Sequence, residues 1–204
     1  MSARESSAMD ARLVAWARAV KSRQRRNGIF AGRPVLWLFT DARRGGDPLA
    51  AAAGLPRGLC GVVLRHDTFP DRAGLGRQLA RVCRARRLAL SVAGDWRLAA
   101  ALGAGLHLRG GRRPGTAPRA LPATTASAHG VAEGRRGRRQ GAMTFLSPAF
   151  GTPSHPGVAG LGPCRWGLMA RRCGGAVAAL GGIDGRRVRR LPGCACAGAI
   201  GALL

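Results

Sequence analysis

Imidazole titrates near neutrality, so the four histidines, His66, His107, His129 and His155, are the first places to look for proton transfer. Each adjoins a short apolar run. Leu59–Leu64 precedes Arg65-His66-Asp67, Gly105–Leu108 contains His107, and Ala123–Ala126 precedes Ser127-Ala128-His129. Ala142–Leu146 precedes the loop Ser147–Gly157, which carries His155. His129 suits a general acid or base; equally, it suits a histidine that opens a helix beside Gly130. A second kind of chemistry is suggested by glycine. Gly181-Gly182-Ile183-Asp184 and Gly198-Ala199-Ile200 both follow apolar runs. Glycines there let backbone N–H groups approach a phosphate without side-chain obstruction, although a tight turn between strand and helix has the same sequence. Asp41 and Asp67 could anchor a magnesium ion or a substrate amine, or cap the helices that follow them. No P-loop, HExxH, G-x-S-x-G elbow or GxGxxG is present.

The elements that must position these groups alternate. Strands are expected at Val35–Phe39, Leu59–Leu64, Leu88–Val92, Gly105–Leu108, Ala123–Ala126, Ala142–Leu146, Ala176–Ala179 and Cys194–Ala197. Several are continuous apolar runs, as in strands covered on both faces. Helices are expected at Asp71–Arg87, Trp96–Leu102, Leu161–Arg172 and Asp184–Arg190. Eight such units predict an α/β fold, a compact (β/α)8 barrel, with a doubly wound open sheet as the alternative. Functional residues then fall just after the strands. Residues 1–34 read as a basic leader with Leu13, Trp16, Ala17 and Val20 on one helical face and a stop at Asn27-Gly28, and residues 35–204 as the barrel. The Arg109–Arg119 and Gly134–Arg139 stretches read as solvated loops or helix surfaces.

Composition bounds the rest. Among 204 residues, 46% are hydrophobic, which is enough for a core and too apolar for a disordered basic tail. Mean hydropathy is −0.03. Lys+Arg is 34 against 9 for Asp+Glu, giving a formal charge of +25. Lys21 is the only lysine, tyrosine is absent and glycine numbers 32, a pattern that GC-rich codons produce. The longest apolar run, Leu191–Leu204, is shorter than the roughly 20 residues of a membrane span. With no apolar signal core near the N-terminus, a cytoplasmic location is expected. Six cysteines without CxxC spacing predict reduced, buried thiols rather than zinc or disulfides.

Taken in order, these motifs resemble the thiamine-phosphate synthase and TenI family of (β/α)8 barrels. Leu36-Trp37-Leu38-Phe39-Thr40-Asp41 is similar to its first strand and Val63-Leu64-Arg65 to its second. Gly105-Leu106-His107-Leu108 is similar to its His-Leu-Gly segment, and Ser127-Ala128-His129 to its Ser-x-His. The most specific piece is Ser147-Pro148-Ala149-Phe150-Gly151-Thr152-Pro153-Ser154-His155-Pro156-Gly157, followed by Ala179-Leu180-Gly181-Gly182-Ile183 and Gly198-Ala199-Ile200. The resemblance implies an enzyme of thiamin biosynthesis acting on a thiazole phosphate, by condensation with hydroxymethylpyrimidine diphosphate and Mg²⁺. It implies catalytic roles for His129 and Ser127, and substrate contacts from Arg65, His107, Thr152, Ser154 and His155. Phosphate would bind at Gly181, Gly182, Gly198 and Ala199, and Asp95 is the candidate metal ligand.

The sequence departs from the family at the metal side. Of the second strand's Gln-x-Arg-x-Lys, the positions Val63, Arg65 and Asp67 keep only the arginine. Ala93-Gly94-Asp95 stands where Asn-Asp-Arg is usual, and Arg109-Gly110-Gly111-Arg112-Arg113 where an aspartate is expected. A metal-independent thiazole tautomerase of the TenI type, with His129 as base, is therefore the first alternative. A catalytically silent phosphate-binding barrel is the second. The charge motivates a non-specific nucleic-acid binder as the third, but aromatic residues are only 4% and do not interleave with the arginines as a stacking platform requires. The expected partners are small phosphorylated thiazole or pyrimidine substrates and further copies of the chain, with no membrane.

Overall fold

The computed structural model describes residues 9–26, 32–42, 46–152, 157–175 and 177–204. In chain order its elements are α1 (Ala11–Arg26), β1 (Leu36–Phe39), α2 (Pro48–Gly54), β2 (Cys60–Leu64), α3 (Arg72–Arg86), β3 (Ala89–Ala93) and α4 (Trp96–Ala101). They continue as β4 (Gly105–Leu108), β5 (Ala123–Ala128), α5 (Val131–Arg139), β6 (Met143–Leu146), α6 (Gly162–Cys173), β7 (Val177–Ala179) and β8 (Ala197–Ala199). Each strand pairs in parallel with the next, and β1 pairs with β8, so the sheet closes. The expected (β/α)8 barrel is present.

Closure forces inward side chains to share a narrow lumen. Trp37, Phe39, Phe145 and Met143 fill it, with Phe145 edge-on to Phe39 at 4.9 Å and to Trp37 at 6.1 Å. The strands on either side of β1 make room with glycine. A Cβ at Gly61 would lie 2.7 Å from the Trp37 ring, and one at Gly198 would lie 2.6 Å from Phe39. Large residues of β1 thus meet small ones on its two neighbours, as close packing requires.

α1 completes the outer layer. Only a 3-10 turn, Gly201–Leu203, follows β8, and α1 packs beside it. Leu13, Val14, Trp16, Ala17 and Val20 are buried in the same core as β1 and β8. Asp10 donates its N–H to the Ala202 carbonyl at 3.1 Å, and its carboxylate accepts from Gly185 N–H at 2.7 Å. Gln24 Nε2 donates to the Ala195 carbonyl at 2.8 Å. Burial would raise the Asp10 pKa, but N–H donors from Gly185, Leu13 and Arg12 and the Arg12 charge outweigh it, holding the group below 3.8.

Carboxylates are scarce here, and most of them serve the backbone. Asp10, Asp47, Asp71 and Asp95 each accept an N–H in the first turn of α1 to α4. Asp184 accepts from Arg186 and Arg187 N–H, both at 2.8 Å. Arginines serve the opposite ends: Arg86 bonds the Leu55 carbonyl and Arg135 the Arg172 carbonyl, satisfying groups left over at helix C-termini.

Several expected elements are corrected by the structure. The last strand begins at Ala197, not Cys194, and the Asp184–Arg190 stretch forms only a 3-10 turn at Val188–Arg190. Of the two readings of Gly134–Arg139, loop or helix surface, the second holds, since the stretch belongs to α5. Its inner face is made of Gly134 and Gly137, whose absent side chains admit Cys173 and Thr144. All six cysteines are free; Cys60, Cys83, Cys173 and Cys196 are buried, but Cys164 is exposed.

Candidate active site at the barrel mouth

The residues that follow β2, β6, β7 and β8 surround a cavity of about 180 Å³ at the C-terminal end of the barrel. Its wall includes five residues expected from the sequence: Arg65, Thr152, Gly181, Gly182 and Ala199. Ser147, Asp184 and Arg187 are among the other residues of the wall.

Gly181 and Gly182 are consecutive residues with positive φ, +90° and +61°. The first would place a Cβ 2.9 Å from Pro148 Cα, and the second 2.5 Å from the Gly151 carbonyl oxygen. Side chains are excluded on both counts. Among the described residues, neither N–H of this pair has an acceptor, whereas the Leu180 and Gly181 carbonyls accept from Ala149 and Phe150. Adjacent N–H groups in such a turn form a concavity suited to an anion. Arg187 stands at its rim. Its Nη1 donates to the Gly182 carbonyl at 3.2 Å, its Nε is 3.5 Å from Asp184, and its guanidinium lies 5.8 Å from the Phe150 ring centre. In the sequence Arg187 is one of many codon-biased arginines; the signal that could have found it is its place three residues beyond a capping aspartate.

His129 is exposed at the end of β5. Its backbone N–H donates to Glu133 Oε2 at 2.8 Å, fixing the turn into α5. Its Nδ1 lies 3.1 Å from the Ser147 carbonyl oxygen. A carbonyl only accepts, so Nδ1 carries the hydrogen and Nε2 is the basic nitrogen of the neutral ring. Ser147 is thereby shared: its carbonyl orients the histidine while the residue lines the cavity.

The other expected residues are placed differently. Ser127 Oγ accepts from Gly110 N–H at 3.3 Å and so holds the loop after β4. His107 does not line the cavity. It is buried below in the lumen, with Nδ1 2.9 Å from Thr125 Oγ1 and its ring edge-on to Phe39. Burial, then the charges of Arg65 and Arg109, push its pKa down to about 3, so it stays neutral. Gly198 lies beneath the mouth, where it admits Phe39. Ser154 and His155 lie outside the described residues. Thr40 Oγ1 accepts from Arg65 N–H at 3.0 Å and meets His66 Nδ1 at 2.9 Å, which holds the β2 end against β1.

Asp95 caps α4 through one carboxylate oxygen and meets Arg72 Nη1 at 3.4 Å through the other. Asp67 meets Arg72 at 3.2 Å and Arg109 at 2.5 Å. Among the described residues, no three His, Cys, Asp or Glu side chains gather to hold a metal. Mg²⁺ demands octahedral oxygen ligation, and carboxylates already shared between arginines and a helix cap are a poor donor set for it.

Barrel, mouth cavity and paired glycines define a (β/α)8 barrel with a candidate anion site at its C-terminal end. The profile of the thiamine monophosphate synthase family matches residues 41–201, and the chain belongs to that family. Among solved structures it is similar to the thiamine phosphate pyrophosphorylase of Pyrococcus furiosus, with 21% identity over 81% of this chain and 84% of that one and a TM-score of 0.64. The thiamine phosphate pyrophosphorylase of Bacteroides thetaiotaomicron is 18% identical over 83% and 84%, with a TM-score of 0.51. A citrate synthase variant, 16% identical over 87% and 89%, reaches the same TM-score of 0.51. These likenesses establish the fold, which is shared by different chemistries. No curated protein matches the chain. No helix among the described residues is long and apolar enough to cross a membrane.

Proposed function

We propose that this chain is an enzyme of thiamin biosynthesis that binds a thiazole phosphate in the mouth cavity and moves a proton on its ring through His129. The observation that carries the reading is the coupling of two features through Ser147. That residue lines the cavity beside Gly181 and, through its carbonyl, sets the His129 tautomer. The Gly181 and Gly182 N–H groups would hold the phosphate, with Arg187 and Arg65 supplying positive charge. His129 Nε2 would take a proton from the thiazole and return it at another ring position. Such a shift is redox-neutral and uses no metal. Positioned general-base catalysis of this kind contributes about 10²–10⁴-fold.

Condensation of the thiazole phosphate with hydroxymethylpyrimidine diphosphate is the second reading, supported by the family match over residues 41–201. Turnover assays on the purified chain separate the two. Tautomerisation of carboxythiazole phosphate supplied alone supports proton transfer. Release of diphosphate that needs both substrates supports condensation, and failure to bind carboxythiazole phosphate sinks both and leaves a silent barrel. The cytoplasm, and association with further copies of itself, belong to the same proposal; the family's biosynthetic role supports the first, and resemblance alone the second.

A further inference from the structure

The resemblance implies a magnesium-held diphosphate, yet the carboxylates beside the mouth do not fit a metal. What surrounds them is arginine. A cleft of about 510 Å³ is lined by Asp67, Arg72, Asp95, Arg109, Arg112 and Arg113, with Gly94 in its floor. Four guanidinium groups face two carboxylates there, a difference of 4 − 2 = +2.

This crowding is imposed by the backbone. Gly110 and Gly111 take φ of +55° and +68°, and Arg112 N–H donates to the Arg109 carbonyl at 3.0 Å. Arg109 and Arg112 form an isolated antiparallel bridge around this two-residue turn. Positive φ at both central positions is the hairpin turn that matches strand twist, and directly opposed residues share one face. The turn is anchored from behind by Ser127 Oγ on Gly110 N–H and by Arg136 Nε on the Gly110 carbonyl at 3.1 Å. A Cβ at Gly111 would lie 2.6 Å from the Glu133 carbonyl. The hairpin cannot drift away from α5. Like charges directly opposed across a bridge are destabilising, so this device holds two arginines together at a cost to the empty protein. Gly94, with φ of +73°, lets the Arg109 guanidinium approach the backbone: a Cβ there would meet Nε at 3.2 Å.

The cations are not equally committed. Arg113 is spent on the Pro118 and Leu121 carbonyls and Gln140. Arg72 binds Asp67, Asp95 and the Ala93 carbonyl. Arg109 shares Asp67. Arg112, which is exposed, makes no ion pair among the described residues. We infer that this cleft is a metal-independent site for a small diphosphate-class anion, held directly by Arg112 and Arg109 with Arg72 behind them. The planar guanidinium fork suits phosphoryl oxygens, and several of them can do the neutralising work of a cation. The inference stands with either reading of the reaction, because it concerns a cleft beside the thiazole cavity.

The test is calorimetric titration of inorganic diphosphate into the full chain, in EDTA and again in Mg²⁺. The expected result is binding in EDTA at least as strong as in Mg²⁺. Arg112→Ala should weaken it by roughly tenfold or more, the scale of one charge-assisted hydrogen bond. Asp95→Asn keeps a good helix cap but releases Arg72, so it should tighten binding severalfold; at a metal site the same change would weaken it. Thermal melts of both variants should stay near that of the parent. Binding that requires Mg²⁺, or that falls in Asp95→Asn, overturns the inference. Diphosphate binding that survives Arg112→Ala but vanishes in Gly182→Ala also overturns it, placing the anion at the glycine pair.

Discussion

Replacing Gly182 by alanine tests the mouth on two independent terms. The residue sits at φ of +61°, where an L side chain costs about 1–2 kcal/mol. Its new Cβ would also stand 2.5 Å from the Gly151 carbonyl oxygen and 2.9 Å from Phe150 Cβ, so the loop after β6 must move. Gly193 provides the control. It has a similar φ of +68°, nothing within 4 Å of a methyl group added there, and no part in the cavity. Gly193→Ala should therefore show the conformational term alone, a fall in Tm of roughly 2–8 °C at the ~2–4 °C per kcal/mol expected of a chain this size. Gly182→Ala should fall further. It should also lose carboxythiazole phosphate binding by roughly tenfold or more, the scale of one charge-assisted hydrogen bond to the phosphate. Scanning calorimetry and titration calorimetry on both variants give the two numbers. Equal melting temperatures together with parental affinity in Gly182→Ala would refute the reasoning, because neither the wall nor the anion concavity would then exist as described.

Two other perturbations follow from burial. His107 has an ordinary pKa of 6.5 when unfolded and one pushed down to about 3 when folded, so between those limits the unfolded state binds more protons and stability falls as pH falls. The slope from this group approaches about 1.4 kcal/mol per pH unit, near ~3–5 °C in Tm; His107→Gln should flatten the Tm profile between pH 6 and 4, and an unchanged profile would contradict the burial argument. Leu13 is fully buried where α1 meets the barrel, so Leu13→Ala should cost about 2–5 kcal/mol by chemical denaturation. A loss well under about 1 kcal/mol would mean that α1 is dispensable to the core.

Much of the barrel is legible in the sequence because its strands are short, apolar and separated by polar turns; the misses have separate physical causes. α2, Pro-Leu-Ala-Ala-Ala-Ala-Gly, has no amphipathic period, and its real signals are Asp47 as cap and Pro48 at the first position. α5 buries glycines instead of large apolar side chains, so hydrophobic periodicity does not reveal which face turns inward. Cys194 to Ala199 is uniformly small, which leaves nothing in the sequence to fix where pairing begins. At the site, the glycine pair is readable because positive φ has a residue type. Arg187 is not, since one arginine among many carries no distinguishing mark. The sequence does not separate a ligand from a cap among the aspartates, because in this fold the face where strands end is also where helices begin, and Asp95 caps α4 there.

The central claim is that His129, oriented by the Ser147 carbonyl, moves a proton on a thiazole phosphate. The most direct measurement is the rate of carboxythiazole phosphate tautomerisation at saturating substrate, in the parent chain and in His129→Asn. Asparagine can still donate to Ser147 but offers no basic nitrogen. The account predicts turnover by the parent, a loss of about 10²–10⁴-fold in the variant, and substrate binding unchanged in both. Turnover in His129→Asn equal to that of the parent would contradict it.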